Sequence, residues 1–370
     1  VLGTEPIAMR GITMKGVKAL VGVVPVVCLL VLFCAAQADA KWPAGGKVIC
    51  TAPGVQVEAS AVTDGAGGTI IFWGDNRSGI QDIYAQRIDK NGLRMWWPEQ
   101  GVPICVAVNP QYDGESVSDG QGGGIVVWLD QRYGATEMYA QRVDGDGNPL
   151  WATNGILVAG GLNGLGLYEA ISDGQGGVII AWDDWGGAQY DIFAQRLDGN
   201  GNLLWGPGGN LPHTVTAIGQ DQLSPQLATD GLGGAYIAWE DMRLPTAPDI
   251  FGQRVTAAGV DAWATNGKGL VTGATQYSGA RLAEDGAGCA YLVWEDWGAA
   301  TAPDLYAQRM DNLGIFQWGA PSVLCTAPMQ QWDPRMIYDG YGGAIVAWDD
   351  FRTGVDQDIY AQRVDPLGIT

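Results

Sequence analysis

From residue 41 onward the chain is written in short apolar runs separated by glycine-rich turns. GIVVW (124–128) is one such run and MYAQRV (138–143) is the next. Both carry the β-branched and aromatic side chains that suit strands. Neither alternates cleanly between apolar and polar, which predicts strands covered on both faces. A DGQGG turn (119–123) precedes the pair, and its glycines can take positive φ without a Cβ clash. SVSD (116–119) closes a short strand before that turn. A DGDG turn (144–147) follows the pair, and PLW (149–151) opens a fourth strand. No helical period runs through this part of the chain.

The same text returns six times. The DG turn begins at Asp64, Asp119, Asp173, Asp230, Asp285 and Asp339, with gaps of 55, 54, 57, 55 and 54 residues. The tryptophan of a WxD motif recurs at Trp73, Trp128, Trp182, Trp239, Trp294 and Trp348. Four short antiparallel strands per unit, six units in series, predict an all-β fold, a six-bladed β-propeller of four-stranded antiparallel blades. One blade cannot bury both its faces, whereas six around an axis bury them against each other. The last repeat stops at PLGIT (366–370), before the Trp-containing segment that every internal repeat has. KWPAGGKVIC (41–50) supplies such a segment at the other end. The ring is therefore expected to close with the mature N-terminal segment completing the last blade, which also covers an open sheet edge.

The first 40 residues read differently. Lys15 and Lys18 precede an apolar stretch from Ala19 to Ala36, and Ala38 and Ala40 offer small residues for cleavage before Lys41. This is the layout of a secretory signal peptide, with the 13 residues before Met14 an over-extended reading frame. An uncleaved membrane anchor is the competing reading of the same 18 apolar residues. The expected organisation is residues 1–40 as extension and signal, and residues 41–370 as one propeller domain. The protein is expected in the secreted, periplasmic or cell-surface compartment, as a monomer, off the membrane after cleavage.

Charge narrows the partners. The whole chain carries a formal net charge of −20. Residues 41–370 hold 17 basic and 38 acidic residues, a net −21. Such a surface repels phosphate backbones, so nucleic acid is excluded as a partner. The four cysteines beyond residue 40 are Cys50, Cys105, Cys289 and Cys325. Three occupy one repeat position and read as buried small hydrophobes. Only Cys289 with Cys325, in one repeat, is geometrically conceivable as a disulfide.

Six aspartates two residues after the strand tryptophan (Asp75, Asp130, Asp184, Asp241, Asp296, Asp350) and six arginines ending the QR pair recur in every unit. A residue needed equally in every blade serves the blade. The aspartates suit tight-turn N–H groups, and the arginines need carboxylate or carbonyl partners. The WxD tryptophan is expected opposite the YAQR tyrosine, as in Trp128 with Tyr139. The DGDGN (144–148) and DGNGN (198–202) turns resemble half a calcium loop but lack the distal glutamate. They read as hairpin turns, with no cofactor or metal expected and Ca²⁺ the one ion to consider.

The repeat W-x-D-x-R…D-I-Y-A-Q-R-x-D-x-x-G-x-x-x-W resembles one found in exported bacterial propeller proteins of largely uncharacterised role. It covers Lys41 to Thr370, and the resemblance implies the fold and no specific activity. Gly186 and Gly298 replace its arginine, each after a loop tryptophan. The S-x-D-x-G-x-x-W boxes of sialidases are missing.

Function is expected where blades differ, in loops on a rigid ring. The residue after WxD is Asn76, Gln131, Trp185, Met242, Trp297 and Phe351 in turn. Trp185, Trp297 and Phe351, with the carboxylates Asp183, Glu295 and Asp349 beside them, are the candidate ligand-binding residues. An indole stacks on the C–H face of a sugar while carboxylates take its hydroxyls; packing on neighbouring loops is the competing role of the same indoles. Gln56, Gln111, Gln222 and Gln331, near the channel mouth, form a second candidate set, with backbone satisfaction as their alternative role. The expected function is a non-catalytic extracellular binding or scaffold module for a glycan or a protein. The alternative is a glycoside hydrolase-like enzyme using loop carboxylates. The single histidine, His213, rules out a multi-histidine metal site, and no nucleophile-elbow motif accompanies it.

Overall fold

The structure is a computed structural model that describes residues 42–209, 211–244, 247–298 and 302–370. The apolar stretch and cleavage site of the signal reading lie outside the described residues. Residues 42–47 form a small unit of their own, a turn in which Gly46 N donates to Pro43 O at 2.9 Å. Residues 48–370 form the other unit.

The first blade shows how sequence becomes sheet. β1 (Gln56–Thr63), β2 (Thr69–Asp75), β3 (Asp82–Ile88) and β4 (Val102–Cys105) pair antiparallel in chain order. The turn between β1 and β2 is built by Asp64. One of its oxygens accepts Ala66 N at 2.8 Å and Gly68 N at 2.7 Å, and the other accepts Arg87 Nε at 3.0 Å. A Cβ on Gly68 would lie 2.3 Å from Ile88 O, so this turn position takes glycine. The DG aspartate and the QR arginine are thus one ion pair, repeated in all six blades.

The other end of the blade is held by the WxD aspartate. Asp130 accepts Trp128 Nε1 at 2.9 Å, Arg132 N at 2.8 Å, Arg132 Nε at 2.9 Å and Arg132 Nη2 at 2.6 Å. The Arg132 guanidinium lies 3.8 Å over the Tyr139 ring, which stacks on Trp128 at 6.2 Å. Cys105 and Cys325 pack against the corresponding aspartates of the next blade at 3.9 and 3.8 Å. Cys289 lies in the Asp285 turn, beside the strand end at Met310, whereas Cys325 pairs with Leu305. Five residues of strand, on the order of 16 Å, separate the two, so they cannot bridge.

Four further repeats form the same four-stranded sheet, and the fold is a six-bladed β-propeller with no α-helix among the described residues. Apolar clusters lie between consecutive blades; Ile70 and Phe72 of the first pack with Val126 and Trp128 of the second. The inner strands of all six blades line one axial cavity of about 530 Å³. The sixth sheet has three strands, Gln331–Tyr338, Ala344–Asp350 and Asp358–Val364. Among the described residues no fourth strand is paired to this sheet. Ile337, Ile345 and Ile359 are 64, 40 and 74% exposed, whereas Val62, Ile70 and Ile83 of blade one are buried at the same register positions.

Candidate functional site

The WxD loops and the first residues of the inner strands share one end of the propeller, because β1 begins opposite Asp75 and its counterparts begin likewise. Trp185 extends its strand by one residue and pairs with Tyr190. Its indole is 36% exposed and meets the Tyr190 ring edge-on at 5.3 Å and 67°. Trp297 is half-buried and donates from Nε1 to Ser278 Oγ at 2.8 Å. Phe351 is half-buried, its amide donating to Gln330 O at 2.9 Å. Among the described residues no ring contact joins these three to one another.

The carboxylates beside them face inward. Asp183 accepts Ser224 N of the fourth blade at 2.8 Å and Leu167 N at 2.6 Å. Glu295 accepts Asp333 N of the sixth blade at 2.8 Å and Ser278 Oγ at 2.9 Å. Glu240, at the same register, accepts Gly279 N of the fifth blade at 3.0 Å. These side chains clamp a blade to the bulged inner strand of the next. Asp349 holds the same position in blade six and is half-buried, and its carboxylate has no hydrogen bond among the described residues. The glutamines turn their amide groups to backbone: Gln111 Nε2 donates to Asn109 O at 2.5 Å and Gln331 Nε2 to Met329 O at 2.9 Å.

Each inner strand except that of blade three carries a bulge just after its start. The bulged residues Glu58, Asp113, Ser224 and Asp333 have positive φ, as does Gly279. Beyond the bulge, the residue four places before each DG turn occupies one register level around the axis. It reads Ser60, Glu115, Glu169, Gln226, Arg281 and Arg335. Here the repeat stops repeating. Acids stand on blades two and three, arginines on blades five and six.

The acid half is strongly coupled. Burial, the Glu169 carboxylate and Asp113 push Glu115 up to about 8, against the lowering effect of Ala170 N–H. Burial pushes Glu169 up to about 7, while Leu227 N–H, Arg281 and Arg335 pull it down. Leu227 N donates to Glu169 Oε2 at 2.5 Å. Tyr168 is raised by burial and by the charges of Asp113 and Glu115. In the basic half, Arg281 and Arg335 share Asp333, at 3.0 and 3.1 Å. Arg281 Nε is buried without an acceptor. The sequence carries a signal for this ring: one column of the repeat runs S, E, E, Q, R, R while the positions on either side of it are uncharged in every blade. Among the described residues no group of His, Cys, Asp and Glu is arranged to hold a metal ion, and no helix is long and apolar enough to cross a membrane.

No family model matches the chain, and no curated protein does. Solved structures similar to it include a protein of unknown function from Dyadobacter fermentans, at 11% identity over 86% of this chain and 96% of that one, TM-score 0.45. An α-L-arabinanase of Penicillium chrysogenum, solved with arabinobiose, is 11% identical over 86% of this chain and 97% of its own, TM-score 0.44. The polysaccharide lyase Uly1 is 11% identical over 88% and 86%, TM-score 0.48. Similarity at this level carries no activity from those proteins to this chain.

Proposed function

We propose that the protein is an exported, monomeric, non-catalytic propeller that binds a glycan or a protein through the end carrying the WxD loops. The observation that carries this reading is the indole of Trp185. It is large, partly exposed, braced by Tyr190 and found in a loop that differs from blade to blade. Trp297 and Phe351 extend the same end in blades five and six, and the unbonded Asp349 carboxylate adds an acceptor. A glycan array on the mature protein tests it. Binding that is lost in Trp185→Ala and Trp297→Ala, with unchanged circular dichroism, supports the reading; a blank array leaves the protein-scaffold half of it.

One observation favours an enzyme as the second reading. Glu115 and Glu169 are adjacent carboxyls displaced in the same direction, so one can keep a proton near neutrality while the other ionises, as acid–base hydrolysis of glycosides requires. In that case the catalytic carboxyls come from the channel, not from the loops. Turnover of aryl-glycosides that disappears in Glu115→Gln would replace the binding reading with the enzymatic one.

A further inference from the structure

The axial ring separates charge across one channel. Glu115 and Glu169 crowd each other, with Glu58 and Asp113 just above on the same side. On the opposite side the two guanidinium groups share the Asp333 carboxylate, and the charge of Arg281 also reaches Glu240 of blade four. Arg281 and Arg335 act on Glu169, so their charges reach it, yet no hydrogen bond joins the two halves among the described residues. Ser60 and Gln226, between the halves, are uncharged. An anion alone would satisfy the arginines and be repelled by the acids. A cation alone would do the reverse. A ligand with one charge of each sign complements both halves.

The axial cavity mixes apolar side chains with hydroxyls, among them Thr63, Ser118, Ser172 and Thr229, and with Glu284. Leu227, Leu282 and Met336, each one residue further along, line the axial cavity with Val117 and Ile171. Its volume of about 530 Å³ suits a side chain or a short peptide rather than a folded partner.

We propose that the ring binds a small zwitterion of the amino-acid or short-peptide class. Its carboxylate lies on Arg281 and Arg335, its ammonium on Glu115 and Glu169, and its apolar part in the cavity. The ammonium draws both acids to their ionised form, so binding releases protons. This site is independent of the loop indoles.

Isothermal titration of the mature chain with leucine, dileucine and trileucine tests the proposal, at about pH 7 in phosphate and in Tris, whose ionisation heats differ. The expected result is saturable binding of at least one member of the series, with net proton release shown by the difference between buffers. Glu169→Gln and Arg335→Gln each weaken it at least tenfold, as do N-acetylation and C-terminal amidation of the peptide. Arg335 is 69% exposed along its side chain, so its replacement leaves the fold intact. Three results would overturn the proposal: no heat at millimolar peptide with the folded protein; galacturonate binding as tightly as the peptides without proton release, which would make this an anion site; or affinity lost in Trp185→Ala and retained in Arg335→Gln.

Discussion

The WxD aspartate is the residue whose removal should cost the blade most, and the chain contains its own control. In blade two, Asp130 is fully buried and accepts four N–H groups, three of them from Arg132 and one from Trp128. The Arg132 side chain is itself largely buried, with Asn154 O at 2.8 Å and the Tyr139 ring as its other partners. Asp130→Ala therefore strands a positive charge between two blades and an indole N–H in the core. Breaking a buried ion pair on one side costs about 3–5 kcal/mol. In blade five Gly298 stands where the arginine would be. Among the described residues Asp296 accepts Thr275 Oγ1 at 3.1 Å and Gly298 N at 2.9 Å, and Trp294 Nε1 has no acceptor. Asp296→Ala loses two hydrogen bonds from neutral donors and strands no charge, and is expected to cost about 1–2 kcal/mol. Urea denaturation followed by tryptophan fluorescence gives both values from midpoint shifts at a common slope. The double variant Asp130→Ala/Arg132→Ala should be less destabilised than Asp130→Ala alone, because the uncompensated charge goes with it. Equal costs at the two aspartates, or no recovery in the double variant, would refute the idea that the arginine makes the difference.

Three further outcomes follow from the same kind of contact. Glu115 is raised from 4.5 to about 8 in the folded protein, so the stability it contributes is complete at acid pH and lost as pH rises through about 8. Glu169 acts in the same direction, and melting should fall between about pH 5 and 9 in the wild type and much less in Glu115→Gln, by on the order of a few kcal/mol at the alkaline end. At the other extreme, burial pushes Asp350 up but Arg352 and Trp348 outweigh it and hold its carboxyl at about 2. Its contribution is present above the ordinary carboxylate range and is lost as pH falls toward 2, an acid limb that Asp350→Asn should remove from the melting profile. Ring closure is testable by cross-linking. Cys105 pairs with Ile83 and Cys325 with Leu305, so a closed ring places Cys50 beside Ile359. Ile359→Cys should form a disulfide with Cys50 under mild oxidation, seen by mass and by altered gel mobility; a thiol that stays free in the folded monomer would reject the closure.

The seam between blades six and one also shows what the sequence could carry. A period near 55 residues, a turn built on Asp and Gly, and tryptophan opposite tyrosine are local or pairwise features, so the number of blades, their strand order and the Trp128–Tyr139 pair were readable from spacing alone. Closure is different, because it requires two segments some 300 residues apart to meet. Cys50 Sγ sits 3.9 Å from Asp75 Oδ2, the same relation to blade one that Cys105 has to blade two, which is the relation a closed ring requires of it. On blade six, Ile337, Ile345 and Ile359 are exposed and are the surfaces a closing strand would cover.

The sequence offered two candidate columns, and only the one after WxD drew attention. Loop position after WxD draws attention because aromatic residues there are conspicuous, and the structure does leave Trp185 partly exposed. Yet the carboxylates chosen with it, Asp183 and Glu295, are occupied by backbone amides of the next blade. Their role depends on a bulge that shifts the inner strand's register, and a bulge has no marker in these sequences, where its residue is Glu, Asp, Ser, Gly or Asp. The same bulge fixes the level at which Glu115, Glu169, Arg281 and Arg335 meet. In a ring of near-identical blades, constancy identifies what each blade needs for itself, as with Asp130 and Arg142. A column that varies in charge while its neighbours stay uncharged cannot serve the blade in that way, because four kinds of side chain at six positions do not make one structural contact. Such a column is selected, if at all, by whatever occupies the axis, and the order of its charges around the ring is the closest this chain comes to stating its ligand.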